Sequence, residues 1–257
     1  MLFLVKSIVK FVNNPLEQFQ INVIFKCCCD SIFSIFVTNL TVFFGLLWFL
    51  FFSFFFFPLL FSTRVSNFYN FLYIFYFFVL NLFNNQLNNL RAKKFFFYFF
   101  ICFIFVLFSN FLGIFPYSFT ITSHFIQTFG VSFSTFLGIF LLGFVNFELK
   151  FLQLFVPQNV PKALVPFLVV LEIISYLIRP FSLSLRLFAN MMAGHISMHI
   201  LLSFNFFMFK NKFFFLFLVS FTILFLIFVL EFSIVFIQAY VFLTLLLIYL
   251  NDSFNLH

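Results

Sequence analysis

The chain has 257 residues, 65% of them hydrophobic and only 7% charged, and its mean hydropathy is +1.22. A soluble domain of that composition would expose far too much apolar surface, so the water-soluble classes are excluded. The net charge of +7 falls mostly in short clusters between apolar runs, which marks topology and gives no basic patch for nucleic acid. Phenylalanine is extreme at 60 residues. Most of these stand where Leu or Ile would serve, as codon bias in an AT-rich genome produces, so the aromatic stripes are not read as a cofactor box. There is no Gly-rich phosphate loop and no Ser/His/Asp order. Cys27, Cys28 and Cys29 are adjacent, and adjacent cysteines bridge each other poorly; with no second Cys pair at zinc spacing, the cysteines read as reduced and structural. The N-terminus lacks an Arg/Ser-rich transit pattern. A chain this apolar is hard to import, so synthesis at its own membrane is expected.

In chain order, residues 1–31 are mixed, with Pro15, Glu17, Lys26 and Asp30. A first span is expected over 32–60. Residues 64–94 alternate aromatics with Asn and end on Arg91, Lys93 and Lys94, the pattern of an interfacial helix. A second span covers 95–115, stopped by Gly113 and Pro116, and after a polar link a third covers 129–147. A charged link with Pro157 and Pro161 follows. Two long segments, 163–209 and 213–250, then meet at a tight Lys210-Asn211-Lys212 turn. As helices they would measure roughly 70 and 57 Å against a hydrocarbon core of ~30 Å, so they must tilt, bend or break. The expectation is an all-α polytopic membrane protein in one domain, 1–257: about three upright transmembrane helices and a long, steeply tilted C-terminal hairpin. Placing 61–94 inside puts Arg64, Arg91, Lys93, Lys94, Lys150 and Lys162 inside and leaves the 117–127 link, which has no Lys or Arg, outside; Lys6, Lys10, Lys26, Lys210 and Lys212 then fall outside, so the bias is weak.

The ionisable residues of the hairpin need explaining, because such groups in a span signal function. Glu172, Arg179 and Arg186 are seven apart and share one stripe. Ser182 and Asn190 lie one turn either side of Arg186. His195 faces another way, with His199 one turn on. On the last helix Glu231 and Gln238 share a face, and Asp252 lies further along it. The residues thus form two polar sets. Glu172, Ser182, Asn190 and Asp252 open inward; His195, His199 and Glu231 open outward; Arg186 stands between. Two pockets that do not meet, divided by a fixed cation, suit a device passing protons to and from a moving partner. Histidine and glutamate relay protons near neutral pH, whereas arginine holds its proton and blocks a short circuit. Two alternatives stay open here: Arg186 pairs with Glu172 or Glu231 as structural glue, or His195, His199 and Glu231 bind zinc. His124 and His257 read as solvated or interfacial.

SLSLRLFANMMAGH (182–195) closely resembles the signature of the ATP synthase subunit a family. So do IQAYVFLTLLLIYLNDSFNLH (237–257), SNFLGIFPYSFTITSHF (109–125) and PLEQF (15–19). The details look mitochondrial. The resemblance implies that Arg186 is the essential arginine, flanked by Asn190 and Gln238, and that His195 with Glu231 line an entry half-channel. It places Glu172 and Asp252 at a matrix-side exit, with Asn190 near it; His199 is matched only in some members. It further implies a stationary proton-conducting subunit of the mitochondrial inner membrane, not itself catalytic and without bound cofactor or metal. Its partners would be a rotating c-subunit ring, peripheral stalk subunits, other ATP synthase membrane subunits, the lipid bilayer and protons. Two departures stand out: Ser184 occupies a place where relatives commonly have Gly or Ala, and loosens the approach if it faces the ring. Arg179 is charged where many members are neutral. The rival class is a secondary transporter or antiporter-like respiratory subunit. It predicts an internal repeat with broken helices, and none is visible.

Overall fold

The computed structural model describes residues 19–29, 33–60, 67–87, 92–114, 119–156 and 164–254. Readings that fall on Pro15, Glu17, Asp30, Arg64, Arg91, Pro116, Pro157, Pro161, Lys162 and His257 lie outside the described residues.

Strand β1 (Val23–Cys29) pairs antiparallel with β2 (Phe33–Thr38) in a two-stranded ribbon. Helix α1 (Asn39–Leu60) follows at once, then α2 (Asn67–Gln86). A 3-10 turn at Ala92–Phe95 leads into α3 (Phe96–Ile114), and another at Ile121–Ser123 precedes α4 (Phe125–Phe147). After a longer 3-10 stretch (Glu148–Phe155) come α5 (Val165–Lys210) and α6 (Phe214–Phe254). Among the described residues four helical stretches are long and apolar enough to cross a membrane: Ala92–Gly113, Phe125–Phe147, Val165–Lys210 and Phe214–Phe254. The protein is an all-α polytopic membrane protein.

The expected span over 32–60 is corrected at its start, because residues 33–38 form β2. The reason lies in the junction. The Thr38 hydroxyl accepts the Thr41 N–H at 3.3 Å, and the Thr41 hydroxyl in turn accepts the Thr38 N–H at 3.0 Å. This reciprocal capping fixes the helix start after Thr38. Asn39 ties the cap to the incoming chain: its side chain accepts the Asn22 N–H and donates to the Gln20 carbonyl, both at 2.9 Å. Among the described residues, the segment expected over 64–94 is a helix over Asn67–Gln86 and a 3-10 turn from Ala92. The third span begins at Phe125, four residues earlier than read, and α6 stays helical to Phe254, past the expected end at 250.

The chain divides into two compact units. One gathers the described residues within Met1–Phe56, Phe105–His124 and Leu187–Gln238; the other those within Phe57–Ile104, Phe125–Arg186 and Ala239–His257. The boundaries fall immediately after Arg186 on α5 and immediately after Gln238 on α6.

In the first unit the hairpin turn closes as a Schellman motif. The Phe213 N–H donates to the Met208 carbonyl and the Lys212 N–H to the Phe209 carbonyl, each at 3.2 Å. The left-handed position is held by Lys212, with φ of 61°, where glycine would be unstrained. Near the same end of the hairpin, buried Ser220 donates to the side-chain oxygen of buried Asn205. In the second unit α2 packs rings on α3, with Phe75 on Phe103 at 5.5 Å and Phe83 on Phe96 at 5.2 Å. Gly143 is where Phe151 enters: a Cβ there would lie 2.3 Å from its ring. Phe151 leads to Phe155, and Phe155 sits edge-on to Tyr176 at 5.4 Å. Pro166 lies in the first turn of α5, where its missing N–H costs nothing. Pro180 lies inside the helix and removes the helical bond to the Tyr176 carbonyl.

Replacing Lys212 by Gly relieves the left-handed turn and is expected to stabilise the protein by about 0.5–1 kcal/mol, whereas Lys212→Ala relieves nothing. Thermal unfolding of the two variants in one detergent checks this; equal midpoints would show that the turn carries no strain.

Candidate functional site

The first unit holds a cavity of about 270 Å³ lined by Gly113 and Ile114 of α3, Asn190, Met191, Gly194 and His195 of α5, and Glu231 and Val235 of α6, among others. That volume has room for several waters. Its walls exist because two glycines leave space. A Cβ on Gly194 would lie 2.8 Å from Oε1 of Glu231, so the carboxylate is seated against bare helix backbone. A Cβ on Gly113 would lie 2.4 Å from Met191 Cε, 3.0 Å from Thr120 Cγ2 and 3.7 Å from His195 Nε2. The glycine at 113 therefore lets α3, the 119–124 segment and α5 approach around the imidazole. Ile114, Met191 and Val235 form an apolar floor, with Phe111 and Phe228 packed on it.

His195 is buried, has a backbone hydrogen bond with Gly113, and meets the edge of the Phe19 ring at 6.0 Å. Oε1 of Glu231 is buried without a hydrogen-bond partner among the described residues. A buried carboxylate oxygen left in that state calls for water or a proton. His199 is buried one turn beyond His195, off the cavity wall. Asn190, read from sequence as belonging with Glu172, lines the cavity with His195 and Glu231. Gln238 is half-buried and not among the lining residues.

Sequence reading missed a polar neighbourhood in this unit. Asn110 is 1% exposed, and neither its amide oxygen nor its nitrogen has a partner among the described residues. Thr120 and Thr122 are buried with their hydroxyls in the same state. Their signal was available: Asn, Thr, Thr, Ser and His crowd into 110–124 of an otherwise apolar chain. His124, read from sequence as solvated or interfacial, is half-buried. Its ring lies 5.1 Å from that of Phe119, and burial pushes it below the ordinary imidazole pKa, which keeps it neutral at neutral pH.

In the second unit the charged stripe of α5 is split. Arg179 reaches Glu172 at 3.9 Å through one guanidinium nitrogen and Asp252 of α6 at 3.7 Å through the other. Arg186, two turns further on, is exposed and has no ion pair among the described residues. Its neighbours on the exposed side include Ser182 and Leu185. The Ser182 hydroxyl is turned back on its own helix, donating to the Arg179 carbonyl at 3.0 Å. Ser184 is fully buried and donates to the Phe181 carbonyl at 2.8 Å, so it lies off the face that bears Arg186 and cannot loosen an approach there.

The structural-glue alternative for Arg186 is not what the side chains do, since Glu172 goes to Arg179 and Glu231 sits on Gly194. Nor do three His, Cys, Asp or Glu side chains converge as a metal site among the described residues.

The model of the ATP synthase A chain family matches residues 38–251. The chain belongs to that family. Similar proteins include the ATP synthase subunit a of Acanthamoeba castellanii, 47% identical over 95% of this chain and 98% of the relative. The subunit a of Pelagibacter ubique (strain HTCC1062) is 44% identical over 65% of this chain and 67% of its own. That of Marchantia polymorpha is 48% identical over 60% and 62% respectively. The matched region of the family model spans α1 through nearly all of α6, and so contains Gly113, Gly194, Arg186 and Glu231.

Gly113→Ala should destabilise the protein by about 1–3 kcal/mol through overpacking against Met191 and Thr120. Gly138→Ala, with nothing within 4 Å, should gain up to about 1 kcal/mol of helix propensity. Parallel melting curves test the pair, and equal shifts would contradict the close approach at 113.

Proposed function

We propose that this chain is the stationary, non-catalytic, proton-conducting subunit of a rotary ATP synthase, residing in the mitochondrial inner membrane. Two offset half-channels serve it. His195 and Glu231, with Asn190 beside them, line the entry path, and His199 extends it. Glu172 and Asp252 belong to the exit, with Ser182 on the approach. Gln238 flanks the arginine. In chain order Arg186 falls after the exit residues of α5 and before the entry residues, and it is the barrier between the two paths. Protons step onto carboxylates of a rotating c-subunit ring from one side and leave on the other, and the ring drives synthesis elsewhere in the complex. Peripheral stalk subunits hold this chain still.

The observation that carries the reading is the state of Arg186. A guanidinium within an apolar span costs about 2.5–3.5 kcal/mol or more unless it is paired or reaches water. Arg179 has two carboxylates; Arg186 has none among the described residues and is exposed on its helix. A permanent cation held without an acid of its own chain fits one that receives an acid from another. It would favour the ionised form of a passing carboxylate and so make that group release its proton. Because arginine does not deprotonate, the proton cannot continue through it to the other path. The available drive is ~2.3 kcal/mol per charge at 100 mV. Membership of the A chain family supports this reading over the transporter alternative.

Arg186→Ala should bring proton-coupled ATP synthesis to background while the complex still assembles. Retention of coupled synthesis at even a tenth of wild type would count against the mechanism. Glu231→Gln should lower synthesis by about 100-fold, the scale of a lost proton-transfer group. Gly194→Ala displaces the Glu231 carboxylate and should lower synthesis while leaving the melting temperature within a few degrees. Both are read in inverted membrane vesicles, and wild-type rates in either would remove Glu231 from the path.

A further inference from the structure

Arg179 is seated far more firmly than a snorkelling surface arginine. Its guanidinium carbon lies 5.3 Å from the centre of the Tyr176 ring and 5.2 Å from that of Tyr249, so one ring of α5 and one of α6 enclose it. Both tyrosines are buried, and both rest on Phe136 of α4, at 4.8 and 6.1 Å. Phe155 closes the far side of Tyr176. A planar cation stacked on aromatic faces presents its nitrogens outward in a fixed fork. Here one nitrogen faces Glu172 and another faces Asp252, each carboxylate being more than a third exposed. The pairs are long and wet, so their contribution to stability is small. What they supply is placement: two acids from two helices are held at one point.

The aromatic slot fixes where the Arg179 guanidinium sits, and so fixes the point at which Glu172 and Asp252 meet.

We propose that Arg179 is a positioning residue: by holding Asp252 and Glu172 on its two guanidinium nitrogens, it keeps the exit-side acids of two helices together at one point. This rests on the exit assignment made above for Glu172 and Asp252. It predicts that the cation is needed, that arginine serves better than lysine, and that its effect runs through Asp252.

The test is passive proton conduction through the assembled membrane sector in vesicles under an imposed potential, normalised to assembled complex. Arg179→Gln should lower conduction by about 10-fold, inside the range for coupled neighbours, and Arg179→Lys should recover it to within about threefold. The double variant Arg179→Gln/Asp252→Asn should be no worse than the worse single, because both act on one interaction; independent roles would multiply the losses. Should Arg179→Gln fail to assemble, Tyr249→Leu removes one wall of the slot and no charge, and its cycle with Asp252→Asn takes the same form. Multiplied losses, wild-type conduction in Arg179→Gln, or no recovery with lysine overturn the proposal. If Glu172→Gln and Asp252→Asn both conduct as wild type, the exit assignment itself fails. If they lose conduction while Arg179→Gln does not, only the positioning role fails.

Discussion

The constraint on which the rest depends is the cost of a permanent charge in an apolar chain. Every charged or ionisable group of the hairpin has to be given water, a partner or a proton. Arg179 receives two carboxylates and two aromatic rings. Glu231 receives a cavity and a glycine. Arg186, well inside α5, is exposed and lacks an acid among the described residues. That asymmetry between two arginines seven residues apart on one helix is the physical basis of the functional reading.

Space is made by absence of side chains. Gly113 and Gly194 each remove a Cβ that would collide with a cavity-lining group, and Gly143 does the same for Phe151 under the tyrosine slot. With only 6 glycines in the chain, three of them stand at contacts that a methyl group would close. The aromatic surplus then fills the remaining volume. Phe136, Phe140 and Phe155 buttress Tyr176, so rings with no chemistry of their own fix where a guanidinium can sit. Each compact unit thereby holds polar groups in apolar packing, among them the cavity with His195 and Glu231 in one and the Arg179 cluster in the other.

Much of this was legible in the sequence. Length and hydropathy of α3 to α6 are set by composition, and the seven-residue spacing puts Glu172 and Arg179 on one stripe of α5. The ribbon before α1 was not legible, because Phe33–Thr38 is as apolar as the helix that follows and its boundary is set by Thr38, Thr41 and Asn39 through hydrogen bonds. That Asn190 shares a cavity wall with His195 and Glu231 was not legible, because a stripe drawn down one helix ignores which neighbouring helix closes over it. The reach of Arg179 to Asp252 was invisible for the same reason: it is a contact between helices 73 positions apart in sequence. Buried Asn110 and Thr120 carried a compositional hint, but burial cannot be read from composition.

The most direct measurement of the central claim is a density map of the assembled complex at a resolution that shows side chains around Arg186. The account predicts a carboxylate-bearing helix of another subunit facing that guanidinium, with water reaching it from two separate directions. Lipid packed against Arg186, or one of this chain's own acids bound to it, would contradict the account.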